Sequence, residues 1–224
     1  RQNLQKRMGV YMKITGVESL AIPDLLVIKF GRFTDFRGYF TETFRKSDYK
    51  NSPDIQFLDH IDFAQANESF SRKGVIRGLH FQWNPLMGKM VRTIRGHMID
   101  LALDIRKNSP TLGKIIAYDM PSAFEHEGGE WIWVPPGFAH GNLFMEETVI
   151  EYFCTGEYSP GCEAGISPLA EDIDWSLCDP ELKRIFDAEA SKTEYMTDKD
   201  RYGYCLEAWL ETPDADQFIY GNLT

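Results

Sequence analysis

Between residues 25 and 155, apolar and polar side chains alternate with a period near two, and Gly, Pro and Asn interrupt the alternation about every dozen residues. Period two is the signature of a strand, because successive side chains leave the backbone on opposite faces. Leu26-Val27-Ile28-Lys29-Phe30 predicts a short strand. Over residues 98–105, Ile99, Leu101, Leu103 and Ile105 fall on one face while Asp100 and Asp104 fall on the other, which predicts a strand between two unlike environments. Residues 113–118, 131–134, 142–145 and 148–154 continue the pattern. Turns this frequent favour an antiparallel sandwich or barrel over a parallel α/β sheet.

The last third reads differently. Asp179-Pro180-Glu181 sets an N-cap residue, a proline and an acid ahead of Leu182, Ile185 and Phe186, and predicts a helix start. Residues 202–224 are acidic and aromatic and carry no assignable pattern. The expected architecture is all-β with a few helices in the C-terminal third.

Composition narrows the picture. At 224 residues and 43% hydrophobic content the chain can bury a core. No apolar run approaches the roughly 18 residues of a membrane span, so no membrane partner is expected. Residues 1–10 are polar and basic without an apolar h-region, unlike a secretory signal. Residues 1–13 are expected to be an N-terminal extension or an added remnant, with Met8 or Met12 as the natural start. Cys154, Cys162, Cys178 and Cys205 show no Cys-x-x-Cys spacing, and reduced thiols in a cytoplasmic protein are the expectation. A net charge of −10 argues against nucleic acid as a partner, yet allows a small anionic ligand where basic groups gather locally.

Such a gathering exists. Arg77-Gly78-Leu79-His80-Phe81-Gln82 and Gly88-Lys89-Met90-Val91-Arg92 place a histidine, two arginines and a lysine within sixteen residues. Histidine titrates nearest neutral pH, and neighbouring cations suit a phosphate or an enolate oxygen. His80 reads either as a base, which needs a carboxylate to orient it, or as a hydrogen-bonded core histidine. Tyr152 shares an apolar strand face with Ile150 and Cys154, as a proton donor or as core packing. Residues 33–42 combine Arg37 and Gly38 with aromatics able to stack on a base, or form a turn before an edge strand. Gln65-Ala66-Asn67 offers amides that can read a base or a sugar. His60, His80, His97, His126 and His140 never lie within four residues of one another, so no metal is expected. No redox cofactor is expected either, since no Gly-rich dinucleotide loop is present.

Taken together these motifs resemble the dTDP-4-dehydrorhamnose 3,5-epimerase family, from about Ile14 to Arg201. The matching stretches are Asp35-x-Arg37-Gly38-Tyr39-Phe40, Gln65 to Ser69, the two basic segments, Asp100-x-x-x-Asp104 through Thr111, Pro136 to Gly141, Tyr152-x-x-Thr155 and Tyr158-Ser159-Pro160. The resemblance implies a metal-free, cupin-type jelly roll (a double-stranded β-helix) over residues 14–201, with 202–224 as an unassigned tail. It also implies a homodimer with part of each nucleotide site donated by the partner. It assigns His80 as general base, Asp200 as its orienting carboxylate and Tyr152 as general acid. Lys89 and Arg77 match the cations near the 4-keto oxygen and the phosphates. Arg37, Glu42, Gln65, Asn67, His140, Glu163 and Lys199 match contacts to a nucleotide-diphosphate sugar, with Tyr158 and Phe33 beside the base.

Three features depart from the family pattern: Phe153 stands where lysine is common, Ile166-Ser167-Pro168-Leu169 replaces the usual Trp-Asn-Asp-Pro, and the tail after Arg201 differs. The implied activity is inversion of C3, C5 or both in a nucleotide-linked 4-keto-6-deoxyhexose. The rival readings are a ketoisomerase on the same scaffold and a non-catalytic sugar-binding cupin.

Overall fold

Thirteen strands build the molecule in the computed structural model, which describes residues 14–122 and 128–223 and leaves the side chain of Thr193 aside. The 1–13 extension and His126 lie outside the described residues. A six-stranded antiparallel sheet runs β1 (Ile14–Ser19), β2 (Leu26–Gly31), β10 (Gly128–Val134), β7 (Lys89–Arg95), β12 (Thr148–Cys154), β5 (Gln65–Ser71). A five-stranded antiparallel sheet runs β13 (Glu163–Gly165), β6 (Ile76–Gln82), β11 (Phe138–Phe144), β8 (His97–Asp104), β9 (Ile115–Pro121). β3 (Phe33–Asp35) and β4 (Gly38–Phe40) form a separate hairpin. The two large sheets pack as the jelly roll that the family resemblance implies, one form of the antiparallel sandwich that the alternation favours.

Three apolar clusters hold the layers together. Between the sheets lie Val91, Met98, Ala102, Ile132, Phe144 and Ile150. Outside the six-stranded sheet, Trp131, Trp133 and Met90 pack against Tyr49 of the Lys46–Lys50 helix and against Ile55 and Leu58. Outside the five-stranded sheet, Ile99, Leu101, Leu103 and Ile105 meet Phe186, Trp209 and Phe218 of the C-terminal third. The unlike faces of residues 98–105 are thus both buried. The apolar face is covered by the C-terminal third, and Asp100 takes the face shared with Met98 and Ala102, between the sheets.

Phe153 finds its reason on the outer face, stacked near Trp131 (ring centroids 4.9 Å), Phe63 (5.6 Å) and Phe44 (5.7 Å). A lysine there would have its stem among three rings, so the departure from the family pattern belongs to packing. The helix forecast at Asp179 runs over Pro180–Ala190, with the Asp179 carboxylate accepting the Glu181 N–H at 2.7 Å. The forecast for residues 142–145 falls short. β11 begins at Phe138 and all seven of its residues are buried, because it lies between β6 and β8 with both faces covered. A strand covered on both sides has no polar face to alternate with. The unassigned tail packs on the same core through Leu206, Trp209, Ala215 and Phe218, and the Lys107 N–H donates to Phe218 O at 2.8 Å.

Candidate active site

Two glycines set the geometry. Gly78 has φ +116°, and a Cβ on it would come within 2.5 Å of Gly141 Cα, so β6 and β11 approach more closely there than side chains allow. Two residues on from Gly78 stands His80, whose register partner on β11 is His140. The recurring Gly-x-His and His-Gly spellings are therefore the two sides of one close strand contact.

His80 Nε2 lies 2.6 Å from Asp200 Oδ1, and the carboxylate is 5% exposed. Asp200 sits in the short Asp198–Arg201 helix, whose N-cap Thr197 hydroxyl accepts the Asp200 N–H at 3.3 Å. Burial by itself would raise the Asp200 carboxyl pKa, but hydrogen bonds from His80, Thr197 and the Gly78 N–H, with the charge of His80, hold it below the ordinary carboxylate value. The segment that departs from the family pattern fastens this helix. Ile166 and Leu79 exchange two backbone bonds of 2.9 Å, and the Ser167 hydroxyl donates to Arg201 O at 2.9 Å.

The cavity beside His80 is lined by Lys89, Tyr152, Arg77, His140 and Asn142. Its outer part is lined by Gln65, Asn67, Tyr158, Glu163 and Lys199. Burial pushes the Tyr152 hydroxyl pKa up and Cys154 adds to it, against Arg77 and a hydrogen bond from Asn67, so the phenol keeps its proton. Lys89 makes no side-chain hydrogen bond or ion pair among the described residues. Burial lowers its pKa, while Cys154, Asp100 and Glu163 favour the charged form. The Arg77 guanidinium donates to Ser71 Oγ at 2.9 Å.

The outer part is a chain of polar contacts. The Tyr158 N–H donates to Gln65 Oε1 at 2.8 Å, Gln65 Nε2 donates to Asn67 Oδ1 at 2.9 Å, and Lys199 Nζ meets Glu163 Oε1 at 2.8 Å. The amides of Gln65 and Asn67 lie within β5 itself, ordered by its pairing with β12.

Three sequence candidates do not join this cavity within the chain. Phe33 and Arg37 line a separate pocket on the β3–β4 hairpin, where Arg37 pairs with Asp35 at 2.6 Å. Glu42 pairs with Arg45 at 3.2 Å. The sequence reading also missed two groups. Asp100 is 1% exposed and accepts from His140 Nε2 at 2.8 Å and Asn142 Nδ2 at 3.0 Å. Its place on the minority face of an apolar strand was the available signal; nothing in the spacing marked Asn142. The other acid of that motif, Asp104, is structural. It receives Arg106, Ser109 and Thr111 in a buried turn, with Arg106 over the Phe138 ring at 4.4 Å.

The dTDP-4-dehydrorhamnose 3,5-epimerase family model matches residues 19–208. The chain belongs to this family. A dTDP-4-dehydrorhamnose 3,5-epimerase of Pseudomonas aeruginosa is 33% identical over 201 residues, covering 89% of this chain and 97% of the relative. One of Sinorhizobium fredii is 40% identical over 152 residues, covering 66% and 73%. Among solved structures, a dTDP-6-deoxy-D-glucose-3,5-epimerase of Legionella pneumophila in complex with dTDP-4-keto-L-rhamnose superposes with a TM-score of 0.72 at 28% identity, covering 91% of this chain and 97% of that one. Within a family of epimerases, a histidine–carboxylate pair and a protonated tyrosine lining one cavity supply one group able to take a proton and another able to give one. Among the described residues no helix is long and apolar enough to cross a membrane.

Proposed function

We propose that this chain inverts C3, C5 or both of a dTDP-linked 4-keto-6-deoxyhexose, with His80 as base and Tyr152 as acid. The observation that carries the reading is the 2.6 Å bond between His80 and a buried Asp200 beside a cavity that also holds Tyr152 and Lys89. A hydrogen on carbon next to the 4-keto group leaves to His80, and the C–H electron pair moves into an enolate on the 4-oxygen. Asp200 stabilises the imidazolium that forms. The Lys89 ammonium faces the developing oxyanion, a contribution of about 3 kcal/mol for one well-placed donor. Tyr152, whose raised pKa keeps it protonated, donates to the opposite face and inverts the carbon. The polar outer cavity suits a nucleoside, with Gln65 and Asn67 reading it, and Arg77 and His140 near the phosphates or sugar.

The same reading includes a cytoplasmic homodimer in which Phe33, Arg37 and Glu42 complete the partner's nucleotide site. Support comes from the exposed aromatics of the hairpin, with Phe36 98% exposed and Phe40 57% exposed. A large aromatic tip next to an arginine is a costly surface unless it meets a partner.

The test is incubation with dTDP-4-keto-6-deoxyglucose in deuterated water, followed by NMR. Deuterium at C3, at C5 or at both, with inverted configuration, is expected. Deuterium without inversion favours the ketoisomerase reading, and no deuterium favours the sugar binder.

A further inference from the structure

A second groove, of about 400 Å³, adjoins the catalytic cavity and shares the Glu163–Lys199 ion pair with it. Its lining includes Gly203, which has no room for a side chain, and Gly165, where one would be tight. A Cβ on Gly203 would come 2.8 Å from Gly165 O, and one on Gly165 would come 3.2 Å from His80 Cδ2. Tyr202 and Tyr204 stand at the groove 73% and 45% exposed. Trp209, also in the lining, has a buried Nε1–H with no acceptor among the described residues. Thr212 and Asp214 add a hydroxyl and a carboxylate. Trp209, Thr212 and Asp214 follow residue 208, where the family match ends.

We propose that this groove is a subsite for a neutral sugar ring, distinct from the ring handled at His80. The C–H face of a pyranose packs on exposed aromatic faces, which lose little conformational freedom on binding. Its hydroxyls donate to Glu163 and Asp214, and its oxygens accept from Lys199. Two carboxylates against one ammonium disfavour a phosphate. The ligand class is a hexose-type saccharide, free or at the end of a glycan. The proposal does not rest on the chemistry assigned to the catalytic cavity, and its test involves no turnover.

The chain holds five tryptophans, so ¹⁵N-labelled protein gives five indole N–H resonances, two of them (Trp83 and Trp209) at the groove. Titration with methyl α-L-rhamnoside should shift those two saturably, with a Kd in the millimolar range, and leave Trp131, Trp133 and Trp175 in place. Tyr202→Ala and Asp214→Asn change exposed residues outside the catalytic cavity, and each should weaken the effect at least roughly fivefold. Tetramethylammonium and inorganic phosphate run as parallel probes and should leave both resonances unmoved. Absence of a saturable shift by about 100 mM rhamnoside overturns the proposal. So does a shift that persists unchanged in both variants, or one produced instead by tetramethylammonium or phosphate.

Discussion

His80 and His140 are register partners on adjacent strands, and each binds a carboxylate through Nε2, at 2.6 and 2.8 Å. Their settings differ. Asp200 arrives from 120 residues further along the chain, and the His80 side chain is 36% exposed. Asp100 comes from the neighbouring strand β8, and its side chain and that of His140 are 0% and 7% exposed. A base must meet its substrate and change charge during the reaction, which a sealed pair does only at a large desolvation cost. Access separates a proton-transfer pair from a fixed wall, where bond length does not.

The strongest test of this contrast is His80→Ala, which should lower deuterium incorporation from solvent by about 10²–10⁴-fold, the usual worth of a general base. Tyr152→Phe should keep exchange on the His80 face and suppress net inversion, because the proton then returns to the side it left. NMR of both variants with substrate in deuterated water reads the two outcomes together. Full epimerase activity in Tyr152→Phe would falsify its role as acid.

Next in size is Asp200→Asn, expected to cut kcat by about 10²-fold or more, since the imidazolium loses its counter-charge. Asp100→Asn should act the other way round, with less than roughly tenfold loss in kcat and a loss of stability of about 1–3 kcal/mol. Asp100 Oδ2 accepts both His140 and Asn142, whereas Oδ1 is buried without a partner. An asparagine oxygen can keep both bonds, but its NH₂ would then be a buried donor with no acceptor. Urea unfolding and steady-state kinetics on the two variants check the split, and equal losses of kcat would erase the distinction between the pairs.

What could be read from the chain follows the same division between local and distant order. Strand periodicity and the Asp179 cap are properties of neighbouring residues; the cap stands where the spacing placed it, and the strands do too except at 142–145, where both faces are covered and the alternation is lost. The His80–Asp200 pairing was legible only through resemblance, because no local pattern links residues 120 apart. The buried role of Asp100 escaped because an acid on the minority face of a strand looks solvent-facing until a second sheet covers it. The tail escaped for a related reason. Leu206, Trp209, Ala215 and Phe218 are buried without regular spacing, since short helical turns fit them one by one against the outer sheet face. Phe33, Arg37 and Glu42 matched the family, yet a single chain does not bring them to the cavity.

The smallest expected effect concerns acid. The Asp200 carboxyl is held below its ordinary value in the folded chain, so folding favours its ionised form. Such a group contributes stability at pH values above its unfolded pKa of about 4, and that contribution is lost as pH falls through the lower folded value. Asparagine cannot titrate, so Asp200→Asn should remove this part of the pH dependence. The stability difference between the native chain and Asp200→Asn should therefore shrink as pH falls from about 5 toward 3. His80 is partly open to solvent, which screens the pair and keeps the change small. Urea midpoints measured at one-unit pH steps decide it. A difference that widened toward acid would mean that Asp200 is not held ionised by His80, and the contrast with the sealed Asp100 pair would then have to rest on kinetics alone.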